Sequence, residues 1–278
     1  MVNFNGNLVA QDTVMLAQNR AFLYGDAVFE TVKIVNGKIL FLEAHYFRLM
    51  ASMRIVRMEI PMNFTLEYFE KQLLAVVAEN GFMPSARARM TVYRNDGGYY
   101  LPKTNTISFL VHTIPLENTT YSINEQEYSV DLYKDFYIAK QLISSLKTTN
   151  KIIHITASIY AEENNLDNCI LLNDSKNVVE VLQGNLFMVQ KNTIITPPIS
   201  EGCINGIMRK QILNLAKQIN GLNVIESIIS PFELQKADEL FFTNVIKGIQ
   251  PITSYRKKEF TTTIAQELVL KLNELIEK

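Results

Sequence analysis

Residues 28–41 read VFETVKIVNGKILF, and no other stretch restricts the fold as much. Two arms rich in Val, Ile, Phe and Thr flank Asn36-Gly37, the pair that most readily takes the two positive φ values of a type I′ turn. Such a turn joins antiparallel strands, so the chain builds a β-hairpin here. The apolar period then changes at once. Leu42, Tyr46, Leu49, Met50 and Met53 fall at offsets 0, 4, 7, 8 and 11, one stripe of a helix over 42–55. A second helix is expected from about Thr65 to Asn80, where Asn80-Gly81 supplies the stop. ARARMTVYR (86–94) and NTISFLVHT (105–113) read as strands joined by the glycine-bearing loop NDGGYYLP.

Around PLENTTYS (115–122) the pattern lapses into a polar connection. It divides the chain into a smaller N-terminal α+β domain, 1–117, and a larger C-terminal α+β domain, 118–278. Beyond it the pattern predicts a helix near 151–163 and strands at 168–173, 177–182, 185–190 and 193–196. A helix follows over 207–219, with Met208, Ile212, Leu215, Ala216 and Ile219 on one face. Ser230-Pro231-Phe232-Glu233 has the form of a capping box opening a short helix. ELFFT (239–243) reads as a buried strand and 262–277 as a closing helix. Strands mixed with helices, without regular βαβ alternation, give an α+β class in two domains.

With 47% hydrophobic residues in 278, a full core is available and disorder is not expected. Lys plus Arg number 27 against 28 for Asp plus Glu, a balance that argues against a nucleic-acid partner. Cys169 and Cys203 match no metal-ligand spacing and no disulfide framework, so two buried thiols and no metal site are expected. MVNFNGNLVA lacks the basic and apolar regions of a secretory signal, and LLAVVA (73–78) is far too short to span a bilayer. The expectation is a soluble cytoplasmic protein without a membrane partner.

Three features carry chemistry. Lys147, in LISSLKTTNK, is walled in by small and hydroxylated side chains; it is either a solvated lysine or a reactive amine. Glu180, in VVEVLQGNLF, breaks an apolar strand pair. It is either an edge-strand glutamate facing water or a carboxylate held for a buried cationic ring nitrogen. Asn205-Gly206 directly precedes a well-formed helix, whose first N–H groups, those of Ile207 and Met208, suit a phosphate. There is neither a Walker loop nor a GxGxxG fingerprint. Arg48, on the helix after the hairpin, is either solvated or a phosphate clamp.

Taken together, these segments resemble the class-IV aminotransferase family, the fold-type IV pyridoxal-phosphate enzymes. The matching pieces are Glu180, then Asn185-Leu186-Phe187, Ile194-Ile195-Thr196 and Ile204-Asn205-Gly206-Ile207-Met208-Arg209, with LYGDAVFETVKI (23–34) and HYFRL (45–49) upstream. Lys147 stands where the family keeps its Schiff-base lysine. Leu182 departs from the pattern, which has a small residue there, and this bears on the fine geometry around the cofactor.

The resemblance implies a smaller N-terminal and a larger C-terminal domain with the cofactor, pyridoxal 5′-phosphate, between them, and a homodimer. It implies that Lys147 binds the cofactor and then moves protons, and that Glu180 keeps the pyridine nitrogen protonated. Arg48, Asn185, Gly206, the N–H groups of Ile207 and Met208, and the Asn244-Val245 turn would hold the cofactor. Tyr24, Phe29 and Arg94 match positions on the substrate side. GDAVFET and INGIMR look most like the branch of 4-amino-4-deoxychorismate lyase, which releases pyruvate and forms 4-aminobenzoate for folate synthesis. The alternative is an aminotransferase of branched-chain or D-amino acids. A non-catalytic cofactor-binding protein would need Lys147 or Glu180 to be missing, and both are present.

Overall fold

The computed structural model describes residues 1–11, 17–124 and 126–277. Its contacts divide the chain into two units, one of residues 1–119 with 146–150, the other of residues 120–145 with 151–278. The division lies two residues beyond the boundary expected from the polar connection. Residues 146–150, expected in the C-terminal domain, cluster by contacts with the first unit, so the segment bearing Lys147 returns to it.

The first unit is built on six antiparallel strands, β1 (Val2–Phe4), β2 (Asn7–Val9), β3 (Ala27–Val35), β4 (Lys38–Ile39), β5 (Ser85–Arg94) and β6 (Ile107–Leu116), in the order β2-β1-β6-β5-β3-β4. Asn36 and Gly37 take φ values of 49° and 77°, the positive pair that the hairpin turn requires. A short helix, α1 (Arg20–Tyr24), precedes β3, and the helices α2 (Leu42–Ile55) and α3 (Leu66–Glu79) follow β4. Thr65 caps α3 by accepting the N–H of Tyr68. Side chains alternate along β3. Val28, Val32 and Ile34 join Leu49, Met53, Phe69 and Leu73 of the two helices in one core, so Phe29, Thr31 and Lys33 point to the other face of the sheet.

The second unit has two five-stranded sheets. One contains β7 (Ser129–Ile138), β8 (Asn168–Asn173), β9 (Val178–Val181), β15 (Ser254–Tyr255) and β16 (Lys258–Glu259), ordered β16-β15-β7-β8-β9. The other contains β10 (Asn185–Gln190), β11 (Thr193–Thr196), β12 (Asn223–Glu226), β13 (Glu239–Asn244) and β14 (Gly248–Ile252), ordered β12-β11-β10-β13-β14. Val130, Leu132, Ile170 and Val178 of the first meet Leu186, Met188, Leu240 and Phe242 of the second in a shared core. The helix α4 (Ile152–Glu163) packs through Ala157 and Ala161 against Tyr133, Cys169, Leu171 and Val179. Leu182, the residue that departs from the family pattern, is partly buried against this same cluster. The helices α5 (Ile207–Ala216) and α6 (Thr263–Glu277) complete the unit.

The short helix expected at Ser230 is not α-helical. Ser230 and Glu233 do form the reciprocal cap, Glu233 Oε2 accepting the Ser230 N–H at 2.7 Å, but only a turn and a 3₁₀ segment, Leu234–Lys236, follow. Among the described residues no helix is long and apolar enough to cross a membrane, and no group of His, Cys, Asp and Glu could hold a metal ion. Cys169 and Cys203 are buried and unbridged, and burial pushes both thiols up to about 12.

Candidate active site

Residues 147–149 run alongside the start of β3, joined to it by an isolated antiparallel bridge. The Phe29 N–H donates to the Lys147 carbonyl at 2.8 Å, the Thr149 N–H donates to the Ala27 carbonyl at 3.1 Å, and Val28 faces Thr148. This pairing fixes the backbone from the Lys147 carbonyl to Thr149. The lysine Nζ lies 4.7 Å from the centroid of the Phe29 ring, a cation–π distance. Arg89 sits on the same ring, its Cζ 3.8 Å from the centroid.

On the opposite face of β3, Glu30 is buried under α2. Its carboxylate accepts Arg48 Nε and Nη2, both at 2.6 Å, and lies 2.7 Å from His45 Nδ1. Burial would raise the Glu30 pKa, but the Arg48 charge and the hydrogen bonds from His45 and Arg48 outweigh it and hold the group at about 2. Burial lowers the proton affinity of His45, the charges of Arg48 and Lys147 lower it further, and Glu30 opposes them without reversing the direction. A neutral imidazole facing a carboxylate carries its proton on Nδ1, which leaves Nε2 an acceptor. That atom is buried without a hydrogen-bond partner among the described residues.

Arg48, expected to be either solvated or a phosphate clamp, is thus turned toward Glu30 through two of its nitrogens. Arg94, expected on the substrate side, has all three guanidinium nitrogens engaged. It is buried in the first unit, with Nε on Asp26, Nη1 on Asn105 Oδ1 and the Arg57 carbonyl, and Nη2 on the Val56 carbonyl. A guanidinium so fully engaged ties loops together and has little left for a ligand. Tyr24 is exposed, its ring 5.9 Å from that of Tyr100 and under the Arg20 guanidinium. The NDGGYYLP loop is tethered, since Arg20 Nη1 donates to the carbonyls of Gly97, Gly98 and Tyr99.

In the second unit, Glu180 is buried on β9, so a glutamate facing water is excluded. Its Oε2 accepts the Ile204 N–H at 2.9 Å, and its Oε1 is 3.2 Å from His154 Nε2 on α4. The end of α5 lies close by in the chain. Gly206 is its N-cap, and no side chain caps the first turn. Asn185 gives this end its shape: its Nδ2 donates to the Ile204 carbonyl at 2.8 Å, and its Oδ1 fills the space where a Gly206 Cβ would stand, 2.0 Å away. Gly206 is therefore needed to admit Asn185, and its φ of −70° makes no demand of its own. Asn185, expected to touch the cofactor, shapes the helix end from within. The Asn244 side chain closes its own turn, accepting the N–H groups of Ile246 and Lys247 and donating to Gln183, while the Val245 carbonyl accepts the Tyr121 hydroxyl at 2.8 Å.

Sequence reasoning assigned no role to Glu30, His45 or His154. The first two lie inside the segments LYGDAVFETVKI and HYFRL, where an acid in a β-rich arm was the available signal. His154 had none, because only tertiary packing brings α4 beside β9.

The profile of the amino-transferase class IV family matches residues 27–255. The D-alanine aminotransferase of Bacillus licheniformis is 27% identical over 267 residues, covering 91% of this chain and 87% of that protein. The aminodeoxychorismate lyase of Vibrio harveyi is 23% identical over 250 residues, 87% of each. In fold, the chain resembles the branched-chain aminotransferase of Thermoproteus uzoniensis with a TM-score of 0.88, at 24% identity, over 99% of this chain and 94% of that one.

Proposed function

The chain belongs to the amino-transferase class IV family, and from that premise we propose that it is a pyridoxal-phosphate enzyme acting at the carbon that bears a substrate's amine, as 4-amino-4-deoxychorismate lyase. The observation that carries the cofactor reading is Lys147, an amine set on the Phe29 ring by a segment bridged to β3. The donor set fits the group: an uncapped helix end suits a phosphate, and a buried carboxylate suits a cationic ring nitrogen.

Pyridoxal phosphate, when bound, supplies an aldehyde that condenses with amines and a cationic ring that takes up an electron pair. Lys147 would hold the group and would carry a proton to and from the reacting carbon. Glu180, its carboxylate oriented by His154 and the Ile204 N–H, would keep the ring nitrogen protonated. The N–H groups of Ile207 and Met208, the Asn244-Val245 turn and the charge of Arg48 would balance the phosphate. Phe29 forms an apolar wall beside the amine.

The lyase reading is supported by the relative from Vibrio harveyi and by the GDAVFET and INGIMR stretches. A second reading, amino transfer between small amino and keto acids, is favoured by the higher identity to a D-alanine aminotransferase. Incubation of the purified enzyme with aminodeoxychorismate separates them. Formation of 4-aminobenzoate and pyruvate is expected; keto-acid formation from D-alanine or a branched-chain amino acid, with no 4-aminobenzoate, would replace the lyase by the transferase. Borohydride should fix the cofactor to Lys147, and its capture by another lysine would overturn the assignment.

A further inference from the structure

Val245, Ile246 and Lys247 connect β13 to β14, whose ends pair at Asn244 and Gly248. Asn244 closes this turn, its Oδ1 accepting the Ile246 N–H at 3.0 Å and the Lys247 N–H at 2.8 Å. A further bond comes from far away in the chain. Tyr121, buried at the start of the second unit, donates its hydroxyl to the Val245 carbonyl at 2.8 Å.

Tyr121 is itself held on several sides. Its N–H donates to Asn273 Oδ1 on α6 at 2.9 Å, and Asn273 Nδ2 donates back to its carbonyl at 2.8 Å. Its ring lies against Gly248, where an added Cβ would stand 2.6 Å from the tyrosine Cδ1. Gly248 has a φ of 73°, so glycine there serves both the backbone and the close approach of the ring. Burial pushes the phenol up, so the hydroxyl keeps its proton and donates it.

Asn244 alone is enough to close the turn. What the tyrosine adds is the orientation of a single peptide. A peptide group is planar, so holding its carbonyl and its N–H fixes the whole plane. The plane between Val245 and Ile246 is held in this way, by Tyr121 at the carbonyl and by Asn244 at the N–H. The Val245 N–H belongs to the plane before it and takes part in neither bond. We propose that Tyr121 is a positioning residue for the cofactor, its hydroxyl fixing the turn so that the Val245 N–H is presented to the phosphate. The inference rests on the reading of the Asn244-Val245 turn as part of the phosphate site.

Ligand binding to the full-length chain freed of cofactor tests it without turnover. The probes are 4-deoxypyridoxine 5′-phosphate and 4-deoxypyridoxine, which differ only in the phosphate and lack the aldehyde that would bond to Lys147. Isothermal titration of the parent should show the phosphate form bound much more tightly. Tyr121→Phe keeps the ring against Gly248 and removes only the hydroxyl. It should weaken the phosphate form about three- to tenfold, the loss of one hydrogen bond, and leave the other ligand unchanged. Weakening of both ligands by the same factor would show that the hydroxyl serves the fold alone, and would overturn the proposal. So would a phosphate preference in Tyr121→Phe equal to the parent's, and either result leaves the phosphate reading of the turn standing. A parent that binds the two probes equally would defeat that reading and the role of Tyr121 together.

Discussion

Two buried carboxylates, Glu180 and Glu30, hold different partners, and their replacement separates their roles. Glu180 accepts a backbone N–H and faces an imidazole, so Glu180→Gln keeps an acceptor for Ile204 and preserves the local fold. What it removes is the charge proposed to hold a proton on the cofactor ring. A loss of about 10²–10³ in kcat is expected, the usual effect of deleting an electrostatic partner of the transition state. Near-normal kcat with aminodeoxychorismate or an amino acid would reduce Glu180 to a structural residue.

Glu30 is bound to the stability of the first unit. Replacing it by Gln removes the charge that Glu30 sets against the Arg48 guanidinium, and breaking a buried pair costs about 3–5 kcal/mol. Chemical denaturation at neutral pH should show it, and a midpoint equal to the parent's would mean that this ion pair contributes nothing. The pH dependence has a definite sign. Glu30 is lowered from 4.5 to about 2, so its contribution is present above 4.5 and is lost as pH falls toward 2. His45 is lowered from 6.5, so below that pH the unfolded chain takes up the proton first and stability falls again. Both effects run the same way, and the parent should lose stability steadily from about pH 6.5 downward. Glu30→Gln should flatten the part below pH 4.5.

At the scale of elements, the start of α5 depends on a strand residue. A methyl group at Gly206 meets Asn185 Oδ1 and, less closely, Arg209 Cβ, while the backbone there suits any residue, so the Asn185 contact is the main part of the effect. Gly206→Ala should displace Asn185 from the Ile204 carbonyl and cost about 1–3 kcal/mol, the penalty of an unmade buried hydrogen bond. Asn185→Ala should cost a similar amount. Because the two act on one contact, the double variant should be less destabilised than the sum by more than about 0.5 kcal/mol. Additive losses would show that Gly206 is required for some other reason.

For the whole molecule, the family resemblance implies a homodimer, and α4 gives that expectation a physical motive. Ile152, Ile155 and Ile159, one side of the helix, are 62%, 53% and 50% exposed, a contiguous apolar stripe of the sort that marks interaction surfaces. Light scattering at assay concentration should report about twice the 31.8 kDa of one chain. A fully active species at the mass of one chain would end the dimer reading.

Local pattern determined much of this protein unaided. The Asn36-Gly37 hairpin, α2 at Leu42–Ile55 and the strands 168–173, 185–190 and 193–196 were legible because each rests on a period or a turn written in consecutive residues. Lys147 and Glu180 were legible as candidates because a reactive group in an apolar or small-residue setting is locally out of pattern. Their surroundings were not. That residues 146–150 leave the second unit to pair with β3, that Glu30 receives Arg48 and His45, and that Arg94 is absorbed by Asp26 and Asn105 depend on contacts between residues far apart in the chain. Such contacts are chosen by packing and by the need to satisfy every buried charge at once, conditions that no window of neighbouring residues contains.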